Sequence, residues 1–120
     1  MRETKTTNPQ LINLIRLLRK QSREKQAPIW YDVADYLAKT RSQRVVINLS
    51  TINRNSEKAD VVVVPGKVLS SGILDHDVTI AAFEASGQAI AKIESSKAKF
   101  LTINELLEKN PTGSNVKIIR

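Results

Sequence analysis

Cysteine is absent from all 120 residues. Its absence removes disulfides, thiolate metal sites and cysteine nucleophiles together, and it fits a reducing compartment, with the cytoplasm as the default. Long apolar runs are missing as well. No stretch approaches the roughly 18 apolar residues that a membrane span needs, and the start from Met1 to Pro9 is polar. A soluble, unexported protein is therefore expected. Aromatic residues are scarce: one Trp, two Tyr and two Phe. Trp30, Phe83 and Phe100 fall where core residues are expected, which leaves Tyr31 and Tyr36, each expected to be partly buried with a wet hydroxyl. That is too little for a reader of single strands, which stacks bases on exposed rings.

Catalytic signatures are equally thin. The one histidine sits in Asp75-His76-Asp77, which invites a metal or general-base reading. No second ligand cluster accompanies it, so a loop entering a strand is the simpler reading. Ser70, Ser71, Ser86, Ser95 and Ser96 lack a G-x-S-x-G setting. The G-x-x-x-x-G-K-[ST] phosphate loop and any G-x-G are missing too. Neither a cofactor nor a metal is expected, and no small-molecule substrate or membrane is implied.

What the chain has is positive charge, a net +7. It is unevenly spread, with 12 Lys/Arg against 6 Asp/Glu in residues 1–60 and 7 against 6 in residues 61–120. Arginine carries the larger part of the first half, and its planar fork suits phosphate better than lysine's point charge does. A polyanionic partner follows as the expectation.

No repeat, linker or low-complexity run divides the sequence, so residues 1–120 are expected to form one domain, with residues 1–8 as a flexible basic arm. Asn8-Pro9 reads as an N-cap followed by proline at the first helical position. That helix is expected to reach about Lys25, with Leu11, Leu14, Ile15 and Leu18 on one face and Arg16, Arg19, Lys20 and Arg23 on another. Ala27-Pro28 interrupts it. A second helix, from about Ile29 to Lys39, would bury Trp30, Val33, Ala34 and Leu37, with Asp32 and Asp35 on its outer face. The period then shortens. Residues 44–49 and 59–64 are rich in β-formers, the second being a valine run of the kind buried on both sides of a sheet, and Ser50 to Arg54 between them could form one helical turn. A strand at 77–81, a helix from Gly87 to Ser95 and a short strand at 99–101 follow. Thr102-Ile103-Asn104-Glu105 is a capping box opening a helix to about Lys109, and Asn110 to Gly113 turns the chain into a last strand at 116–119. The fold class is α/β, with helices first and short strands interleaved with helices after them.

The strongest candidate site is the basic stripe Arg16, Arg19, Lys20 and Arg23, extended by Lys39, Arg41 and Arg44 around the loop to the first strand. No acidic residue lies within the stripe before Glu24 to form helical ion pairs, so contact with phosphates outweighs the alternative of a merely solvated face. Pro65-Gly66-Lys67 most resembles a type II turn, with glycine supplying the positive φ. Such a turn would expose backbone N–H groups beside a lysine, enough to hold one phosphate.

Six segments, taken together and in order, resemble one family: Asn8-Pro9-Gln10-Leu11, Ala27-Pro28-Ile29-Trp30, Val46 to Ser50, Val63 to Leu69, Asn104 to Leu107 and Asn110 to Ser114. They are similar to the "eighteen-e" large-subunit ribosomal proteins of archaea and eukaryotes, related to the bacterial "fifteen" protein, and the short chain is of the archaeal type. The resemblance implies an irregular superhelix of β-β-α units and a structural, non-enzymatic place in the cytoplasmic ribosome, among neighbouring ribosomal proteins. It further implies RNA contact by Arg41, Arg44, Asn48, Asn53, Arg54, Gly66 and Lys67, with Lys117 in a recurrent C-terminal segment. At Arg41-Ser42-Gln43-Arg44 relatives tend to be more densely basic. The alternatives are a small RNA-directed enzyme or nucleotide-binding regulator using the Pro65-Gly66-Lys67 turn, and a module for an acidic protein partner.

Overall fold

The computed structural model describes residues 8–39 and 43–120. The chain enters α1 (Pro9–Glu24) through Asn8, whose side-chain oxygen accepts from the backbone N–H groups of Gln10 at 3.0 Å and Leu11 at 3.4 Å. These are two of the donors that a helix start leaves unsatisfied. Gln26, at φ +50°, ends the run, and Pro28 occupies the first turn of α2 (Pro28–Leu37). This second helix stops two residues short of the expected Lys39. Leu11, Leu14, Ile15 and Leu18 of α1 meet Trp30, Val33, Ala34 and Leu37 of α2, all buried.

Strand β1 (Val45–Asn48) leads directly into the short helix α3 (Leu49–Arg54). Next come β2 (Asp60–Leu69), β3 (Val78–Ala85), α4 (Gly87–Glu94), β4 (Lys99–Thr102), α5 (Ile103–Lys109) and β5 (Val116–Ile118). All strand pairings are parallel, in the order β1-β2-β3-β4, with β5 also on β2. The α/β class and the leading helices are as expected, and β2-β3-α4 is a β-β-α unit. The capping box is present, with Glu105 N–H to Thr102 Oγ1 at 3.2 Å and Thr102 N–H to Glu105 Oε1 at 3.0 Å.

The sheet separates two cores, and the valine run shows how. Val63 points into the core beneath α1 and α2, while Val62 and Val64 point into a second core with Ile52, Ile80, Ala89 and Ile93. Strand alternation thus sends successive valines to opposite buried faces. Phe83 and Phe100 pack against these cores from half-exposed positions.

One connection sets much of the surface. Because β2 and β3 are adjacent and parallel, with Asp60 opposite Val78, segment 70–77 must return the whole length of β2 without a helix to satisfy its backbone. Side chains do this instead. Lys92 Nζ donates to the carbonyls of Ser70 at 2.7 Å and Gly72 at 3.1 Å. Asn53 Oδ1 accepts from Asp75 N–H at 3.1 Å, and Leu74 is buried in the second core.

The Pro65-Gly66-Lys67 expectation is corrected here. These residues lie within β2, and the register shifts between Val64 and Lys67. Gly66 pairs with Val45 at close approach: a Cβ on it would lie 2.0 Å from the Val45 carbonyl oxygen. The glycine is needed to admit a neighbouring backbone, and its φ is not positive.

Candidate nucleic-acid interface

On α1 the stripe is largely as read. Arg16, Lys20 and Arg23 are exposed, whereas Arg19 is half-buried. Lys20 lies 3.9 Å from Glu24, an exposed i,i+4 pair that contributes little to stability in water. Three long cations on one helix face can therefore move onto phosphates at small cost.

A second basic cluster is created by strand placement. Strands β1 and β5 both pair with the same edge of β2, β5 along Val61–Val63 and β1 along Gly66–Leu69, so the end of one approaches the start of the other. This delivers Arg120 to the ring of Tyr36, with its guanidinium carbon 5.2 Å from the centroid. Lys39 Nζ stands 4.8 Å from that centroid, and Arg44 Nε donates to the Lys39 carbonyl at 3.2 Å. Cation–π attraction to one ring holds together charges that would otherwise repel. Arg120 was missed in sequence because nothing local signals the end-to-end arrangement of β5 and β1. Arg41 lies outside the described residues, as do residues 1–7 of the expected basic arm.

Other expected contacts have internal work. Asn53 braces the crossover. Lys117 Nζ donates to the Asn55 carbonyl at 3.3 Å and reaches Asp60 Oδ2 at 3.4 Å. Gly66 is buried, so the phosphate-holding N–H groups expected of a turn there do not exist in that form. Lys67, next to it, is exposed. Asn48 stands half-buried at the start of α3 without a side-chain capping bond, and Arg54 is exposed in that helix's last turn.

The histidine proves structural. His76 Nε2 lies 2.9 Å from Ser56 Oγ and Nδ1 2.9 Å from Asp75 Oδ1. Ser56 is buried and already donates to the Ile52 carbonyl at 2.7 Å, so this serine–histidine–aspartate chain ties α3 to the crossover and presents no nucleophile. Hydrogen bonding, first to His76 and then to Asn53, holds the Asp75 carboxyl below its ordinary pKa. Among the described residues no group of His, Asp and Glu is arranged to hold a metal ion, and no helix is long and apolar enough to cross a membrane.

Residues 1–120 match the family described as ribosomal protein 60S L18 and 50S L18e. The chain belongs to this family. Among its relatives is a protein named large ribosomal subunit protein eL18 from Methanoregula boonei, 46% identical over 119 residues, covering 99% of this chain and 98% of the relative. The protein of that name from Methanothermobacter thermautotrophicus is likewise 46% identical, with the same coverage. That from Pyrobaculum aerophilum is 44% identical over 116 residues, 97% of this chain and 95% of the relative. The L18e resemblance read from six short segments therefore extends over nearly the whole chain.

Proposed function

We propose that this chain is a structural constituent of the large ribosomal subunit of the cytoplasmic ribosome, where all 120 residues act as one domain that binds and braces folded ribosomal RNA without catalysis. The observation that carries this reading is the family correspondence along residues 1–120. Net charge of +7 supplies the electrostatic attraction such a role needs. Within it, Arg16, Lys20 and Arg23 take phosphates along α1, and Lys39 and Arg120 take them beside Tyr36, with Arg44 next to Lys39. Arg54 and Lys67 extend the surface at α3 and β2, while Arg19 and Asn53 support it from half-buried positions and Lys117 from an exposed one tied to Asn55 and Asp60. Neighbouring ribosomal proteins complete the surroundings.

The test is sedimentation of cell lysate through sucrose gradients at moderate and then high salt, with the chain followed by mass spectrometry. Stoichiometric comigration with large subunits that survives the salt wash is expected. Recovery only in the light fractions would overturn the proposal.

A further inference from the structure

Two clefts meet at one aromatic side chain. The larger, about 460 Å³, runs between α1, Ala82 and Phe83 of β3 and the carboxyl end of β4; Gln10, Asn13 and Asn104 supply its polar wall, and Leu17 and Phe83 its apolar one. Its volume falls in the roughly 300–1,000 Å³ range usual for small-molecule sites, and the carboxyl end of a parallel sheet is where such ligands bind. The smaller, about 210 Å³, holds Arg44, Lys67, Glu84 and again Phe83, beside the edge-strand residue Val46. Phe83 packs against the core under α1 and α2 and stays half-exposed, so it forms a partition with an amide-lined space on one side and a basic one on the other.

That division matches the two chemistries of a nucleotide. Side-chain amides pair with the donor and acceptor edge of a base, and an aromatic ring offers it a stacking surface. Arg44 has its guanidinium oriented by the Nε bond to the Lys39 carbonyl. Lys67 sits in register with Val46 on one side and Glu84 on the other. Two cations against one carboxylate leave a net positive cleft. Arg16 and Lys20 lie about one and two turns beyond Asn13 on α1, so backbone phosphates adjoining such a nucleotide along α1 would also meet positive charge. Leu17, 41% exposed, and Val46, 57% exposed, are apolar surfaces that an inserted base and ribose would cover.

We infer that these joined clefts receive one unpaired nucleotide of folded RNA, with the base between the amides and Phe83 and the phosphate between Arg44 and Lys67. The inference rests on the RNA-binding reading above and deepens it: the chain would read one extruded base as well as the shape of a backbone. A free nucleotide has the same chemistry but lacks the flanking phosphates that Arg16 and Lys20 are placed to meet.

The probe is protein-free archaeal large-subunit ribosomal RNA, with the full chain added, base reactivity mapped by dimethyl sulfate and affinity measured at several salt concentrations. Wild type should protect the Watson–Crick edge of an unpaired base. Asn13→Ala with Asn104→Ala, both at exposed positions, should restore that reactivity and weaken binding by about tenfold, the scale on which one base is recognised. The salt slope should stay unchanged, because no cation is removed. Phe83→Leu, which keeps apolar packing but removes the ring, should do the same; if it unfolds, the double variant decides alone. Wild-type footprint and affinity in the double variant would overturn the nucleotide cleft and leave the ribosomal reading standing. No binding of this RNA by the wild type would overturn both. Adenosine monophosphate binding saturably with an affinity matching that of the RNA would assign the clefts to a free nucleotide and overturn the inference.

Discussion

The indole Nε1 of Trp30 donates to the carbonyl oxygen of Pro111 across 2.8 Å, joining α2 to the turn before the last strand. Gln21 Nε2 donates to the same oxygen at 3.2 Å, and Gly113 in that turn, at φ +69°, would place a Cβ 2.5 Å from Ile29 Cγ2. Two helices at one end of the chain thus clamp the turn that launches β5. Because β5 carries Arg120 towards Tyr36, this clamp also positions the C-terminal cation.

Trp30→Phe should keep most of the buried aromatic packing while removing the hydrogen bond. A decrease of about 1–2 kcal/mol is expected in urea unfolding, with the denaturant slope unchanged. No decrease would show that Gln21 alone holds the turn.

Gly66→Ala should destabilise far more than its size suggests. The methyl group would enter the Val45 carbonyl, so β1 must separate from β2. A cost of about 3 kcal/mol or more, or failure to fold, is expected in thermal melts, on the scale of severe overpacking. Gly87→Ala is the control, since a Cβ there meets nothing within 4 Å.

Arg16, Lys20 and Arg23, replaced together by glutamine, should leave the melting temperature nearly unchanged because all three are exposed. The slope of log affinity for structured RNA against log salt should flatten by roughly 0.7–0.9 for each phosphate that is no longer neutralised. An unchanged slope would remove α1 from the interface.

Acid should weaken the fold through three hydrogen-bonded carboxylates. Asp60 is held low first by the Glu57 N–H, Asp75 by His76, and Glu105 by the Thr102 N–H. A carboxyl with its folded pKa depressed contributes stability that is fully present above its unfolded value near 4 and is lost as pH falls towards the folded value. Melting temperature should therefore be flat above about pH 5 and decline below about pH 4 from this source. Thr102→Ala should cost about 1 kcal/mol at neutral pH through removal of the N-cap, while Glu105→Gln, which removes the carboxylate held by the Thr102 N–H, should make the acid decline shallower; an equally steep decline in Glu105→Gln would show that Glu105 does not contribute to it.

Much of this was legible along the chain. Asn8-Pro9 and the Thr102–Glu105 box marked two helix starts to the residue, because a cap is a local contract between a side chain and N–H groups two or three residues on. The valine run announced a strand buried on both faces. Pro65-Gly66 misled for the same local reason: proline and glycine usually mark a turn, yet here they occupy a bulged strand where glycine admits the backbone of β1.

Local order along the chain is enough for the helical and β segments, the α/β class, the family and the cationic face of α1, since these depend on neighbours a few residues apart and on summed charge. Which charges meet, and which are occupied, is settled only when the elements pack. Arg120 joins Lys39 over the Tyr36 ring only because β5 and β1 share one edge of β2. Asn53 and Lys92 are bound inward only because the return from β2 to β3 leaves backbone groups that must be satisfied. Strand order and crossover path arise from contacts between residues far apart in the chain, and the spacing of residues along it carries no record of them.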